Sequence, residues 1–207
     1  MNETALDTTL SSIIDGLTER GWVITHDFLS RESWQQLAIE SRQLWQEGRF
    51  HHAGVGRSGQ LQVRTEVRSD DVLWLEPRTL SPAQRLYFDR LEQLRQAINA
   101  HLYLGLFEFE GHFAIYPPGS FYKRHSDQFL GVELRTVTCV YYLNDDWQEE
   151  DGGQLRIYYA DHGRENHFDV IPAGGTLVTF LSGQFEHEVL PARRERLSLT
   201  GWFRRRE

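Results

Sequence analysis

The sequence predicts an α+β protein with a double-stranded β-helix (jelly roll) core and supporting N-terminal helices. Apolar residues recur at helical spacing in the first half of the chain, whereas short β-rich runs separated by turn signals fill the second half. No linker, repeat or low-complexity segment divides the 207 residues. We therefore predict a single domain over 1–207, with helical support at about 8–105 and the core at about 106–203.

The first half of the chain predicts three helices. Residues 1–9 are polar and expected to be frayed, and the first helix then runs to a stop at Gly21. Ser30 is placed to cap a second helix. A third begins at Ser81-Pro82, which supplies a cap and a proline at the first helical position, and continues to about Leu102. Short strands are predicted at 22–24 and 72–75.

Residues 46–70, between the second and third helices, are rich in glycine and poor in apolar side chains. Such a segment predicts a mobile loop, and mobile loops beside a site often close over a substrate. His51 and His52 lie within it. Adjacent loop histidines with no third ligand are more often solvated than bound to metal, so we do not favour a metal site here.

The second half of the chain predicts the β-rich core. Glycine- and proline-containing turns at 117–119, 151–153 and 172–175 separate runs with high β-propensity. Seven or eight strands of this length are typical of a jelly roll. The predicted strands lie at 107–116, 121–127, 135–144, 154–159, 167–171, 176–181 and 196–203.

Composition limits the compartment and the partners. The net charge of −8 argues against a nucleic-acid-binding surface. Cys139 is the only cysteine, so no intrachain disulfide can form and a reducing compartment is natural. No stretch approaches the roughly 18 apolar residues of a membrane span, and the N-terminus lacks a signal-peptide pattern. We expect a cytoplasmic protein without a membrane or nucleic-acid partner.

Three residues in the predicted core form a metal-binding pattern. His125 and Asp127 are two positions apart, so on a strand both side chains face the same way. His187, on a distant segment, would complete a 2-His-1-carboxylate set that holds non-haem Fe(II) with open positions. A histidine and an aspartate at this spacing are common by chance, so for the pair alone exposed strand residues are the better interpretation. Followed by a histidine on another strand and then by an arginine, within a β-rich half, the pair becomes a specific signal. His162 and His167 form a rival pair, but their polar surroundings predict a hairpin tip.

The second chemical element is Arg196, shortly after His187. On a strand its guanidinium could bind a dicarboxylic cosubstrate in a bidentate pair. Thr200 lies an even number of positions away and so shares its face, and hydroxyl groups of Thr200 and Tyr142 could complete the pocket. A lone strand arginine is usually a surface salt bridge, so Arg196 becomes informative only beside the three candidate ligands.

With these motifs in place, the chain resembles a known family over nearly its whole length, from about residue 10 to 203. It is similar to the Fe(II)- and 2-oxoglutarate-dependent prolyl 4-hydroxylases, in the branch of the hypoxia-inducible-factor prolyl hydroxylases and their bacterial relatives. The resemblance is densest at Tyr116-Pro117, 122–127, 135–144, 152–157 and 187–203.

This resemblance implies a role for each matched residue. His125, Asp127 and His187 would bind Fe(II). Arg196 would pair with the far carboxylate of 2-oxoglutarate, helped by the hydroxyl groups of Tyr142 and Thr200. The remaining implied contacts are Tyr116 near the metal-chelating end of the cosubstrate, and Tyr122, Arg135 and Trp202 around the target proline.

The family also implies a loop that clasps the substrate peptide through an Arg-x-Asp element. Arg68 and Asp70 match it, with Trp74 at the matching distance, and an Asp70–Arg135 ion pair is a hypothesis for linking loop to pocket. The turn between His125 and Arg135 departs from the family, because it is one residue longer and contains Gln128-Phe129-Leu130. The loop at 50–66 also differs in composition.

The implied reaction uses 2-oxoglutarate and O2 as cosubstrates and ascorbate as a reductant, and it yields succinate and CO2. The expected partner is a protein that presents an exposed proline, with elongation factor Tu as the candidate, and the family suggests oxygen sensing as a role. We expect a stand-alone enzyme of bacterial type with no extra N-terminal domain. Two alternatives stay open: an oxygenase for a free amino acid or other small molecule, and a non-catalytic jelly-roll binding module.

Overall fold

A computed structural model describes residues 7–54, 64–128 and 134–206. These residues form three helices and eleven strands, which confirms the predicted α+β class. The helices are α1 (Thr8–Arg20), α2 (Arg31–Gln46) and α3 (Pro82–Leu102). The strands are β1 (Trp22–Thr25), β2 (His51–His52), β3 (Asp71–Trp74), β4 (Leu106–Tyr116), β5 (Tyr122–His125), β6 (Arg135–Tyr142), β7 (Leu155–Asp161), β8 (Arg164–Val170), β9 (Leu177–Leu181), β10 (His187–Val189) and β11 (Arg196–Arg205).

The helix ends follow the capping residues that the sequence contains. Asp7 caps α1, since its side chain accepts a hydrogen bond from the Leu10 N–H at 2.9 Å. The expectation that residues 1–9 are frayed is therefore wrong from Asp7 onward, and 1–6 lie outside the described residues. Gly21 ends α1 in the left-handed conformation, with φ of 78°. Ser81 and Gln84 form a capping box at the start of α3.

The strands form two antiparallel sheets. The major sheet has the order β1-β9-β6-β11-β4-β3-β2, and the minor sheet has the order β5-β10-β7-β8. Apolar side chains of both sheets share one core, as in a jelly roll. The predicted strand ranges omitted β2, at His51–His52, and the three-residue strand β10, although His187 itself was expected on a strand.

The two faces of the major sheet pack against different layers. Its outer face packs against the three helices in a large apolar cluster that includes Leu37, Leu94 and Phe203. Its inner face packs against the minor sheet, in a smaller cluster that includes Ile157 and Phe180. The space between the sheets is therefore only partly filled by apolar side chains. None of the described helices is long and apolar enough to cross a membrane.

The irregular loop expected at 46–70 is structured at both flanks. His51 and His52 pair with β3, and the Ala53 N–H donates to the Asp70 carbonyl at 2.9 Å. Residues 64–70 lie beside β5, with backbone hydrogen bonds to it. Residues 55–63, and Phe129 and Leu130 of the departing turn, lie outside the described residues.

Candidate metal centre and cosubstrate pocket

Strand pairing brings the three candidate metal ligands together. His125 on β5 lies directly opposite His187 on β10, and Asp127 follows His125 by two residues. One potential ligand atom from each residue lies within 4.8 Å of the other two. The Nε2 atoms of His125 and His187 are 3.8 and 3.6 Å from the Asp127 carboxylate oxygens. The structure therefore places two imidazoles and one carboxylate around a single point.

Hydrogen bonds orient both imidazoles toward that point. His125 Nδ1 donates to the Lys123 carbonyl at 2.7 Å, and His187 Nδ1 lies 3.4 Å from the Phe185 carbonyl. Because a carbonyl oxygen only accepts, the proton belongs on Nδ1 and each Nε2 presents its lone pair. Burial, reinforced by the neighbouring His187, lowers the pKa of His125 to about 3, so the imidazole is neutral, which is the form that binds a metal.

Asp127 is buried yet remains the anionic member of the set. Burial alone would raise its pKa, but the two imidazoles and a hydrogen bond from Thr138 Oγ1 at 2.7 Å hold the pKa below its usual range. Two imidazoles and one carboxylate are the donor set that non-haem Fe(II) proteins use, with other coordination positions left open. The donor chemistry of these residues therefore fits Fe(II).

A second feature, on the inner face of β11, fits a carboxylate. Arg196 is only 1% exposed, and its Nε donates to the Gly153 carbonyl at 2.8 Å. Among the described residues, neither Arg196 Nη2 nor the Tyr142 hydroxyl has a hydrogen-bond partner. The guanidinium carbon lies 5.0 Å from the Tyr142 ring and 4.8 Å from the Tyr116 ring. A buried cation with an unused donor is costly, and a ligand carboxylate would satisfy it.

The hydroxyl groups beside Arg196 are donors. Burial raises the pKa of Tyr142 to about 12, although the Arg196 guanidinium acts to lower it. Burial, reinforced by Asp70, likewise raises the pKa of Tyr116. Both phenols are therefore neutral at physiological pH and can donate to a carboxylate or a keto oxygen. Thr200 lies on the same side of the sheet and contributes a further hydroxyl to the cavity.

One cavity of about 220 Å³ connects the metal ligands with Arg196. A water molecule occupies about 30 Å³ of liquid, so a small dicarboxylate fits in this volume. The three ligands, Arg196, Thr200 and Tyr116 all line it, as do Arg68, Tyr122, Arg135 and Trp202. Asp70 and Tyr142 lie behind this lining, against Arg68 and Arg196 respectively. All predicted site residues are therefore brought to one place.

The mouth of the cavity is aromatic and carries paired charges. The Arg135 guanidinium carbon lies 3.5 Å from the centre of the Trp202 ring. The centre of the Trp74 ring lies 6.1 Å from that of the Trp202 ring, and Trp74 is 41% exposed. The hypothesis of an Asp70–Arg135 ion pair is wrong. Arg135 instead donates to Glu110 at 2.8 Å. Asp70 is held by the nearby Arg68, whose planar guanidinium binds both carboxylate oxygens, at 2.7 and 2.5 Å.

One buried polar residue of the cavity wall, His112, was not predicted from the sequence. It lies opposite Trp74 on one side and Thr200 on the other, and it is 3% exposed. Burial, with a contribution from Arg68, lowers its pKa to about 4. The available signal was the period of two along β4, which puts His112 on the same face as Tyr116.

The other histidines considered as metal ligands lie elsewhere. His162 is at the tip of the β7–β8 hairpin and His167 is exposed on β8. His52 pairs with Asp71 at 2.6 Å, and His51 reaches the cavity mouth. Within the described parts of the chain, the only cluster with metal-binding geometry is His125, Asp127 and His187.

Comparisons with known proteins agree with this geometry. The family model described as the 2OG-Fe(II) oxygenase superfamily, where 2OG denotes 2-oxoglutarate, matches residues 111–204. Human Egl nine homolog 1 is 32% identical over an alignment of 207 positions, which covers 96% of this chain and 47% of the relative. The hypoxia-inducible factor prolyl hydroxylase of Caenorhabditis elegans is 27% identical, over 92% of this chain and 27% of the relative. The chain thus spans about half or less of the length of these relatives.

Two solved structures are similar over almost the full chain. A Pseudomonas putida prolyl-4-hydroxylase is 45% identical with a TM-score of 0.85, and the match covers 96% of this chain and 100% of the other. A Trichoplax adhaerens prolyl hydroxylase, in complex with a peptide fragment of the hypoxia-inducible factor oxygen degradation domain, is 25% identical with a TM-score of 0.83. That match covers 94% of this chain and 88% of the other.

Proposed function

This chain belongs to the 2OG-Fe(II) oxygenase superfamily, and from that premise we propose that it is a prolyl 4-hydroxylase acting on a proline in a partner protein. One observation carries the proposal. A single cavity holds a complete Fe(II) donor set, a fully buried arginine with an unused donor beneath it, and an aromatic mouth above it. A free-standing binding module would have no use for all three.

Each residue at the base of the cavity has a part in this proposal. His125, Asp127 and His187 hold Fe(II), and Arg196 with Tyr142 and Thr200 holds the far carboxylate of 2-oxoglutarate. Tyr116 donates toward the chelating end of the cosubstrate. Bound Fe(II), with 2-oxoglutarate and O2, supplies the oxidising chemistry that amino-acid side chains lack. The cosubstrates are converted to succinate and CO2, and one oxygen atom is inserted into the proline.

At the mouth, the protein orients the target proline. Tyr122 and Trp202 line the cavity and give apolar surface to the pyrrolidine ring, and Arg135 is held over Trp202 by Glu110. In this proposal Arg68 and Asp70 border the substrate peptide. The exposed Trp74 extends the apolar surface beyond the cavity, which suits a peptide segment better than a free amino acid. A bound peptide excludes water from the cavity, which limits turnover that is not coupled to oxidation of the proline.

The proposal also includes a candidate substrate protein and a cellular role. The 45% identical relative is a bacterial prolyl-4-hydroxylase, and resemblance to bacterial relatives makes elongation factor Tu our candidate substrate in the cytoplasm. Other relatives are named for hypoxia-inducible factor, so we include oxygen sensing, by O2-limited turnover, as a proposed role.

The test is hydroxylation of purified elongation factor Tu and of a host lysate with Fe(II), 2-oxoglutarate, O2 and ascorbate. Mass spectrometry detects prolines that gain one oxygen atom, and succinate is measured in parallel. His187→Ala removes a metal ligand, and His167→Ala is the matched control, because His167 is an exposed histidine on β8. We expect hydroxyproline and succinate with the wild type and the control, and neither with His187→Ala.

Other results point to the alternatives. Succinate without any hydroxylated protein would indicate an oxygenase for a free amino acid or other small molecule. Absence of both products, with no Mn²⁺ binding by the wild type, would indicate a non-catalytic module. Modification of a lysate protein other than elongation factor Tu would keep the activity and replace the substrate.

A further inference from the structure

A column of stacked side chains stands beside the metal ligand His125. The Tyr122 ring is nearly parallel to the His125 ring, at an interplanar angle of 15° and a centroid distance of 3.6 Å. The Arg68 guanidinium carbon lies 4.3 Å from the centre of the same Tyr122 ring. Tyr122 therefore contacts both the ligand and the arginine, and it limits how far the His125 imidazole can tilt.

The far end of the column is fixed by a buried ion pair. Arg68 donates two hydrogen bonds to Asp70, and their side chains are 12% and 0% exposed. A bidentate guanidinium–carboxylate pair has one preferred geometry. Loss of one partner would leave a buried charge, which is costly, so the pair holds the guanidinium in place over Tyr122.

The backbone of residues 64–70 supports the same ligand. The Lys123 N–H donates to the Val67 carbonyl at 2.9 Å, and the Ser69 N–H donates to the Phe121 carbonyl at 3.1 Å. The Lys123 carbonyl in turn accepts the hydrogen bond from His125 Nδ1. Residues 64–70 are therefore hydrogen-bonded to the very residue that orients the His125 imidazole.

Such support is needed because the strand pairing at this point is short. β5 and β10 pair at His125–His187 and at Tyr122–Val189, with a register shift between the two. A ladder of this length and irregularity defines the relative position of the two imidazoles weakly. The side-chain column and the backbone contacts of residues 64–70 add restraints where the ladder supplies few.

We propose that Tyr122, Arg68 and Asp70 are positioning residues for the metal ligand His125, so that docking of residues 64–70 and metal binding are linked. This inference rests on the metal site of the proposed function and adds a role to residues otherwise assigned to the substrate peptide. A purely substrate-clasping role predicts that their loss weakens peptide use alone. A positioning role predicts weaker metal binding in the absence of any peptide.

The experiment measures Mn²⁺ affinity by calorimetry, without 2-oxoglutarate or peptide. Tyr122→Leu removes the stacked ring, whereas Tyr122→Phe keeps it. The double variant Arg68→Met/Asp70→Asn removes both charges of the pair together. We expect Tyr122→Leu and the double variant to bind Mn²⁺ roughly 10-fold more weakly, as for other outer partners of metal ligands, and Tyr122→Phe to keep wild-type affinity.

A matched control lies in the helical layer. Arg90 pairs with Asp7 at 2.6 Å and lies 5.6 Å from the Phe28 ring, so it repeats the arginine–carboxylate–aromatic arrangement away from the metal ligands. Asn can still cap α1 at position 7. Arg90→Met/Asp7→Asn should therefore lower stability without changing Mn²⁺ affinity. Equal affinities for Tyr122→Leu, Tyr122→Phe and the wild type would overturn the proposal.

A second measurement is made on the wild-type protein and so does not depend on whether a variant folds. Linkage is reciprocal, so Mn²⁺ should slow hydrogen exchange of the Ser69 and Lys123 amides in the wild type. Unchanged exchange at both amides would refute the linkage. His187→Ala distinguishes an error in the metal site from an error in the positioning role. If His187→Ala binds Mn²⁺ as tightly as the wild type, the assigned metal site is wrong. If His187→Ala loses Mn²⁺ binding but Tyr122→Leu keeps wild-type affinity, only the positioning role is rejected.

Discussion

The two faces of the major sheet are built from the same strands but from different chemistry. Along β11, Leu197, Leu199 and Phe203 point to the helices, whereas Arg196 and Thr200 line the cavity. Along β6 and β4 the same alternation separates residues of the helical cluster from Thr138 and His112. The outer face therefore stabilises the fold, and the inner face holds the titratable groups of the site.

This contrast shows why a deep apolar layer accompanies the site. Buried titratable groups without full hydrogen bonding reduce stability, and Arg196 and Asp127 are both buried. The helical cluster offsets this cost by removing apolar surface from water. Because adjacent residues on a strand alternate, stability and chemistry can be changed separately, one face at a time.

The largest expected effect is on the outer face. Leu94 on α3 is completely buried in the helical cluster, so Leu94→Ala should lower the free energy of unfolding by about 2–5 kcal/mol, since it removes packed methyl groups and leaves a cavity. Chemical denaturation measures this loss. Mn²⁺ affinity of the folded variant should equal that of the wild type. A parallel fall in affinity would show that the two faces are coupled.

A smaller effect is expected on the inner face, from protonation of His112. The pKa of His112 is about 4 in the folded protein, against 6.5 ordinarily, so the unfolded state binds more protons between these values. Stability from this group is complete above pH 6.5 and is lost as the pH falls toward 4, by up to roughly 3 kcal/mol.

His112→Asn tests this pH dependence, because Asn keeps a side-chain donor but does not titrate. Urea denaturation of the metal-free proteins between pH 7 and pH 4 gives the slope of unfolding free energy against pH. His125 has a lowered pKa as well and is present in both proteins, so the difference between the slopes reports His112. Equal slopes would show that the pKa of His112 is the same in the folded and unfolded states.

The sequence was sufficient for features set by local rules, and it fell short where tertiary contacts decide. The cap at Ser81 follows from spacing alone, whereas Asp127 meets His125 from a bend beyond the end of β5 and not from the predicted shared strand face. His187 was expected on a strand, but the range of the three-residue strand β10 was not predicted, because its neighbours on both sides, and not its own propensity, make it a strand. The Asp70–Arg135 pair was wrong because Asp70 pairs with Arg68, only two residues away, and Arg135 on β6 pairs with Glu110 on β4.

The smallest effect is expected where polar residues are exposed, on the outward face of the minor sheet. Arg156 and Asp169 form a bidentate pair across β7 and β8, with both hydrogen bonds at 2.8 Å and side chains 27% and 34% exposed. If hydrogen-bonded charge alone decided stability, this pair would contribute as much to stability as the buried charged groups of the inner face. Water screens it, so a double-mutant cycle with Arg156→Gln and Asp169→Asn should give a coupling of about 0.2–1 kcal/mol. The coupling should shrink further in high salt, and Mn²⁺ affinity should stay unchanged. A larger coupling that resists salt would show that desolvation does not explain why charged groups of the inner face and of the surface contribute differently to stability.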